Sequence, residues 1–322
     1  MVKNITYLTR DILNKVNNLK SIKFKSYSKN LLAKALLLGF KINRLDDNTC
    51  IIVDNQDNAL LITDGNWGLR GDCEGLFSDI NINYININKL NTHDVTDMAY
   101  MFNNCQVEQL ELYSLDTSNV ASMRGMFNGC TVKSLDISNF NTSKVTDMAY
   151  MFNNCQVQYL DLSNFDTSNV TSMHGMFNGC TVKSLDISNF NTSKVTDMAY
   201  MFNNCQVQYL DLSNFDTSNV RRMEYMFSHC AANEINLSSF KTNNVLDLSG
   251  MFSGANVSRL DLSNFVARRL TGVGHMFNKY NGETIITDPR IYKAYTDRQV
   301  KQSLFNYIGT KTNKYRLRIV DR

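Results

Sequence analysis

The dipeptide Met-Phe recurs at positions 101, 126, 151, 176, 201, 226, 251 and 276, a period of 25 without slippage, and Leu76-Phe77 is a degenerate ninth member. A unit this short cannot bury its own apolar face, so successive units must stack and share one core. Other columns hold the same period. Valine stands at 95, 120, 145, 170, 195, 220 and 245, and leucine at 110, 135, 160, 185, 210 and 260, with Ile235 between the last two. Cysteine stands at 105, 130, 155, 180, 205 and 230, then gives way to Ala255 and Tyr280. Residues 125–170 are identical to 175–220, which reads as a recent duplication of two units at once.

One unit can be parsed on 132–155. Val132, Leu135 and Ile137 have the spacing of a leucine-rich-repeat strand, with Leu135 and Ile137 on one face. Ser138 and Asn139 turn the chain, and Phe140 returns to the core. Thr142 and Ser143 are natural helix N-caps. Val145, Met148, Met151, Phe152 and Cys155 follow at spacings that trace one stripe of a helix of about three turns. Each unit therefore predicts one strand and one short helix. The fold class that follows is α/β: a leucine-rich-repeat solenoid with a parallel concave sheet and short convex helices over 71–280. Proline would break either ladder, and the one proline of the 322 residues, Pro289, lies beyond the repeats.

The motif L-D-L-S-N-F-D-T-S-N-V-T-x-M-x-x-M-F-x-x-C over 160–180 resembles the BspA-type leucine-rich repeat of bacterial surface proteins, also described as the DUF285 repeat. The resemblance covers about 76–280. It implies the same stacked fold, and it implies an exported protein that binds host proteins or other cells. Residues 1–20 carry no apolar stretch or small-residue cleavage site, so the residues themselves point to the cytoplasm, with no anchor or membrane span.

Net charge is +3, but it is segregated: +9 over 1–45, −11 over 46–280 and +5 over 281–322. Residues 1–70 read as an N-terminal α+β capping module. Leu8, Ile12, Val16 and Leu19 make a helical stripe, 29–38 predicts a second helix capped by Ser28, and 50–53 with 59–63 predicts a hairpin. The run 28–63 resembles a helix-then-hairpin module of small phage and mobile-element proteins. Residues 281–322 predict a C-terminal cap, a helix over 290–307 and a strand over 315–320.

No nucleophile, metal box, phosphate loop or paired-carboxylate site stands out, so no enzymatic activity, metal or cofactor is expected. The cysteine column reads as small buried thiols. His174 shares its column with Ala99, Arg124, Ala149, Ala199, Glu224 and Ser249, which predicts a solvent-facing position. Two strand columns carry the recognition candidates. Glu111, Asp136, Asp161, Asp186, Asp211 and Asp261, with Asn236 among them, form an acidic row; Tyr159, Tyr209, Glu234 and Arg259 stand in the variable column beside it. Exposed tyrosine beside charge is usual at protein interfaces. The expected function is a protein-recognition scaffold that holds or blocks a protein partner inside a bacterial cell, for instance as a phage or mobile-element inhibitor of a host defence protein. The resemblance points instead to a surface adhesin. Nucleic-acid binding through the basic ends is the third reading, disfavoured because 31–38 is nearly all apolar where a recognition helix needs base-reading polar residues.

Overall fold

The computed structural model describes residues 5–8, 10–14, 20–26, 35, 37–38, 40–44, 49–53, 56–63, 66–266, 268–280, 282–288, 291 and 317–318. The chain divides into two compact units, Met1–Val145 with Cys155–Phe165, and Thr146–Asn154 with Asp166–Arg322.

The first unit begins with β1 (Ile5–Tyr7), α1 (Arg10–Asn14), β2 (Ser21–Ser26), β3 (Lys41–Arg44), β4 (Thr49–Val53), β5 (Asn58–Thr63) and β6 (Asn66–Asp72). The repeats contribute β7 (Tyr84–Asn86), β8 (Leu90–Asp97) and β9 (Gln109–Glu111). The expected hairpin is present: β4 and β5 pair antiparallel, with Val53 opposite Ala59 and Thr49 opposite Thr63. β2 then joins this hairpin to the repeats. It pairs parallel with β5 on one side and with β7 on the other, completing a sheet of order β3-β4-β5-β2-β7-β9. From β7 to β9 the register advances by one period, Tyr84 opposite Gln109. A second sheet, β1-β6-β8, carries the buried Trp67, whose ring meets Phe24 edge-on. Of the expected stripe, Ile12 lies in α1 and Leu8 just before it, while Val16, Leu19 and nearly all of 29–38 fall outside the described residues.

The second unit holds β10 (Tyr209–Asp211), β11 (Glu234–Asn236), β12 (Arg259–Leu262), β13 (Glu283–Ile286) and β14 (Leu317–Arg318). β10 pairs parallel with β11 at a shift of 25, Tyr209 opposite Glu234. β13 lies between β12 and β14, so the strand expected over 315–320 is seen at Leu317–Arg318. The helix expected over 290–307 falls outside the described residues apart from Ile291.

The core columns are buried as their spacing requires. The valine, methionine, phenylalanine and cysteine columns are almost wholly inaccessible. Phenylalanine rings stack from coil to coil, Phe77–Phe102–Phe127 in the first unit at 5.3 and 5.6 Å, and Phe152 through Phe277 in the second at 5.6–5.8 Å. Each ring thus removes its two neighbours from water, a burial of about 1.5–3 kcal/mol per side chain.

The expected convex helices are not formed: among the described residues of the repeats there is no helix. Met148 to Cys155 instead run as consecutive turns. The N–H groups of Met151, Asn153 and Cys155-type positions donate back three residues within the coil (Met151 to Met148 O, 3.2 Å; Asn153 to Tyr150 O, 3.0 Å). The alternate N–H groups donate out to the next coil: Tyr150 to His174 O at 2.7 Å, Phe152 to Met176 O at 2.9 Å, and Asn154 to Asn178 O at 2.6 Å. This alternation needs a left-handed residue twice per coil. Tyr150 has φ 59° and Asn154 φ 51°, and one coil later Gly175 and Gly179 have φ 57° and 65°. A helix requires negative φ throughout, so these positions exclude it. The spacing of apolar residues was right for one buried stripe, but two kinds of backbone can present it. Each unit is therefore a strand or bridge, a set of turns, and no helix. Among the described residues no helix is long and apolar enough to cross a membrane.

Candidate functional site

Most of the polar residues that repeat every 25 positions are spent on the backbone. Three acceptors per coil each bind the N–H two residues ahead, closing an Asx turn. In the strand-end column Asp136, Asp161, Asp186, Asp211 and Asp261 accept from Ser138, Ser163, Ser188, Ser213 and Ser263 at 3.0–3.1 Å. Five positions further, Asp116, Asn141, Asp166, Asn191 and Asp216 do the same. Before the tandem turns, Asp97, Asp147, Asp197 and Asp247 cap the N–H groups of residues 99, 149, 199 and 249.

Other columns tie coil to coil. The buried hydroxyl of Thr167 donates to Asn191 O and accepts from Asn191 N–H; Thr217 and Lys241 repeat the exchange. Asn164 donates to Ile137 O and Phe140 O, and Asn214 to Ile187 O and Phe190 O, which ties each turn to the coil before it. Arg10 plays the same part at the first coil, where its guanidinium donates to Leu76 O at 2.9 Å and Gly75 O at 3.3 Å.

The acidic row of the strand face thus has a structural duty that its charge pattern did not reveal. Its aspartates remain exposed. The Ser138 hydroxyl and N–H hold Asp136 below the usual carboxylate range, the N–H and hydroxyl of Ser163 do so for Asp161, and Asp161 itself pushes Asp136 back upward. Asp211 and Asp261 are lowered by Ser213 and Ser263, with help from Asn236 and Arg259 respectively. Glu111 differs: half-buried, it accepts from the side-chain amides of Asn86 and Asn88.

In the first unit the row members are Glu111, Asp136 and Asp161, flanked by Tyr159. Tyr159 is 70% exposed, the most open tyrosine among the described residues. Sequence reasoning missed Tyr113, 63% exposed in a column where every later coil has serine. That departure from the column was the available signal. In the second unit Tyr209 is 52% exposed and faces Glu234 across the β10–β11 pair, with Asp211 opposite Asn236. Asp186, Arg259 and Asp261 are exposed in the same unit.

The tandem-turn face carries a second group. His174, expected to face solvent, lies half-buried with Tyr150 at 4.9 Å on one side and Tyr200 at 5.6 Å on the other. Its Nδ1 is 3.2 Å from Asp197, which also accepts from Arg222 at 3.0 Å. Arg222 in turn grips Glu224, and Tyr200 stacks on Tyr225 at 5.0 Å. In the same column Arg124 reaches the Tyr100 hydroxyl and Glu224 pairs with Arg222, while Ala99, Ala149 and Ala199 stand in other coils.

No reactive centre is assembled around the buried thiols. Burial pushes Cys73 and Cys230 up to about 11, and the Cys130 contact followed by burial raises Cys105 further, so these sulfurs stay protonated. Cys73, Cys105, Cys130, Cys155, Cys180, Cys205 and Cys230 are buried and form no disulfide. Among the described residues no group of three His, Cys, Asp or Glu side chains is placed to hold a metal ion.

A family model described as "Mycoplasma protein of unknown function, DUF285" matches residues 71–187 and 175–285. No curated protein matches the chain, and no solved structure does.

Proposed function

The chain belongs to the DUF285 repeat family, and from that premise we propose that it is a non-enzymatic protein-recognition scaffold, a leucine-rich-repeat-type solenoid whose strand face holds or blocks a protein partner. One observation carries this reading. The residues that repeat are consumed by the core and by turn hydrogen bonds, whereas the large exposed side chains Tyr113, Tyr159 and Tyr209 stand where the coils differ. A tyrosine supplies a rigid, amphipathic contact area at low entropic cost, and fixed carboxylates beside it add electrostatic selectivity. The recognition residues proposed are Glu111, Asp136, Tyr159 and Asp161 within the first unit and, as a set of their own, Asp186, Tyr209, Asp211, Glu234, Arg259 and Asp261 within the second.

We place the encounter inside a bacterial cell, with a host protein as target. Buried thiols that form no disulfide are what a reducing compartment permits. Capture of the partner from bacterial lysate by tagged protein, compared with Tyr159→Ala/Tyr209→Ala, tests the surface: the double variant should keep its fold and lose a stoichiometric partner. Equal capture by both proteins would contradict it. Cell fractionation tests the compartment, and recovery at the cell surface would replace the inhibitor by an adhesin.

A further inference from the structure

We propose that the open turn edge of the first coil, 71–80, is a binding cleft for an uncharged, amide-rich segment of a partner protein. In the second coil every turn carbonyl on this edge is taken by the coil before it. Ala99 O accepts from Gly75 N–H at 2.9 Å, Met101 O from Phe77 N–H at 2.8 Å, and Asn103 O from Asp79 N–H at 2.8 Å. The same positions of the first coil are Glu74, Leu76 and Ser78. One period earlier the chain lies in β4, paired with β3 and β5, and supplies no such rungs. Arg10 takes Leu76 O, but among the described residues Glu74 O and Ser78 O have no donor.

A second ladder ends at the same place. The side-chain amide of Asn128 donates to Asn103 Oδ1 at 2.6 Å, that of Asn178 to Asn153 at 2.6 Å, and that of Asn203 to Asn178 at 2.8 Å. In the first coil this column holds Ser78, whose shorter side chain does not continue the series. Among the described residues neither the Ser78 hydroxyl nor the Asn103 amide nitrogen has a partner.

Both ladder ends meet one cavity of about 920 Å³, lined within the first unit by Arg10, Glu74, Ser78 and Asn103, with Tyr100 beside them. The two bonds that Arg10 makes come from one nitrogen, Nη1, which leaves the rest of its guanidinium free to donate. The cleft therefore offers two carbonyl acceptors, donors from Asn103 and Arg10, and a hydroxyl that can serve as either. Its charges balance, with Arg10 and Arg70 against Asp72 and Glu74, so neither an acidic nor a basic occupant is favoured. A peptide group supplies one donor and one acceptor without charge. Main chain laid along an open backbone edge is a recurring mode of peptide recognition. A side-chain amide on that segment, reaching past Ser78, would accept from Asn103 as Asn103 accepts from Asn128.

The test titrates the full chain with acetyl-Ala-Tyr-Met-Phe-Asn-Asn amide, the turn sequence of 149–154, in a calorimeter. Wild type should bind it saturably. Asn103→Ser, a residue this column already holds at 228 and 253, should weaken binding roughly fivefold or more. Ser78→Asn extends the amide ladder into the cleft, so it should weaken binding as much while melting at or above the wild-type temperature. A purely structural role would not move those two readouts in opposite directions. Replacing both asparagines of the peptide by glutamate or by lysine should also weaken binding. No saturable binding by wild type, equal binding by Ser78→Asn, or tighter binding of either charged peptide would each overturn the proposal. Sedimentation of the chain alone completes the test: oligomers that Ser78→Asn disperses would overturn it by giving the edge to a second copy.

Discussion

The strand face and the tandem-turn face are built from the same 25-residue period, yet they place opposite demands on sequence. On the strand face the exposed column lies in strands at Gln109, Tyr209, Glu234 and Arg259 and outside them at Ser134, Tyr159 and Ser184, and none of these positions has a positive φ. On the turn face two positions per coil must be left-handed, and they hold only Gly, Asn, Asp, Tyr, His or Lys. Where a tyrosine rises from one coil, glycine tends to lie in the next: a Cβ on Gly175 would come within 2.8 Å of the Tyr150 ring, and one on Gly250 within 2.2 Å of Tyr225. The strand face can therefore diverge freely, while the turn face diverges only between its left-handed positions, as at 221, 222 and 224.

This contrast can be broken hardest from the turn side. Phe202 is stacked between Phe177 and Phe227 at 5.7 Å on both sides, so Phe202→Ala should cost about 3–5 kcal/mol in denaturant unfolding. Gly179→Val should cost about 2–4 kcal/mol, because φ is 65° there and a Cβ would lie 2.1 Å from the Asn154 side-chain oxygen. On the strand side, Asn214→Ala should cost about 1–2 kcal/mol by removing its hydrogen bonds to Ile187 O and Phe190 O, read as a drop in midpoint. Tyr209→Ala, by contrast, should stay within about 0.5 kcal/mol.

Acid probes both faces together. Asp136, Asp161, Asp166, Asp211, Asp216 and Asp261 have folded pKa values below their unfolded ones; for Asp116 the Ser118 hydroxyl, then its N–H and His93, bring it to about 2. A lowered folded pKa contributes stability that is present above the unfolded value and is lost as pH falls towards the folded one. The melting temperature should accordingly hold from about pH 7 to 5 and fall between about pH 4 and 2.

The period, the core columns and the β4–β5 hairpin were legible because each rests on apolar spacing, which stacking or pairing must obey. The turn backbone was not. Val145, Met148, Met151, Phe152 and Cys155 point one stripe inward whether the chain between them is helical or turned. The deciding residues were Gly125 and Gly129, with Gly175 and Gly179, four apart in what would have been helix interior and aligned with Tyr and Asn in the neighbouring units. The acidic row was visible as charge, but its service to Ser138, Ser163 and their equivalents lay in the Asp-x-Ser spacing rather than in the charge. The surroundings of His174 depend on Tyr150 and Asp197, 24 and 23 residues away, and a column-by-column reading does not bring them together.

The central claim is that the variable strand column carries no structural duty and is free for recognition. Its most direct test is the melting temperature of one chain in which Gln109, Ser134, Tyr159, Ser184, Tyr209, Glu234 and Arg259 are all alanine. This variant should unfold cooperatively within a few degrees of wild type and lose the captured partner; a collapse of the transition, or a partner still held, would show that the column is not free.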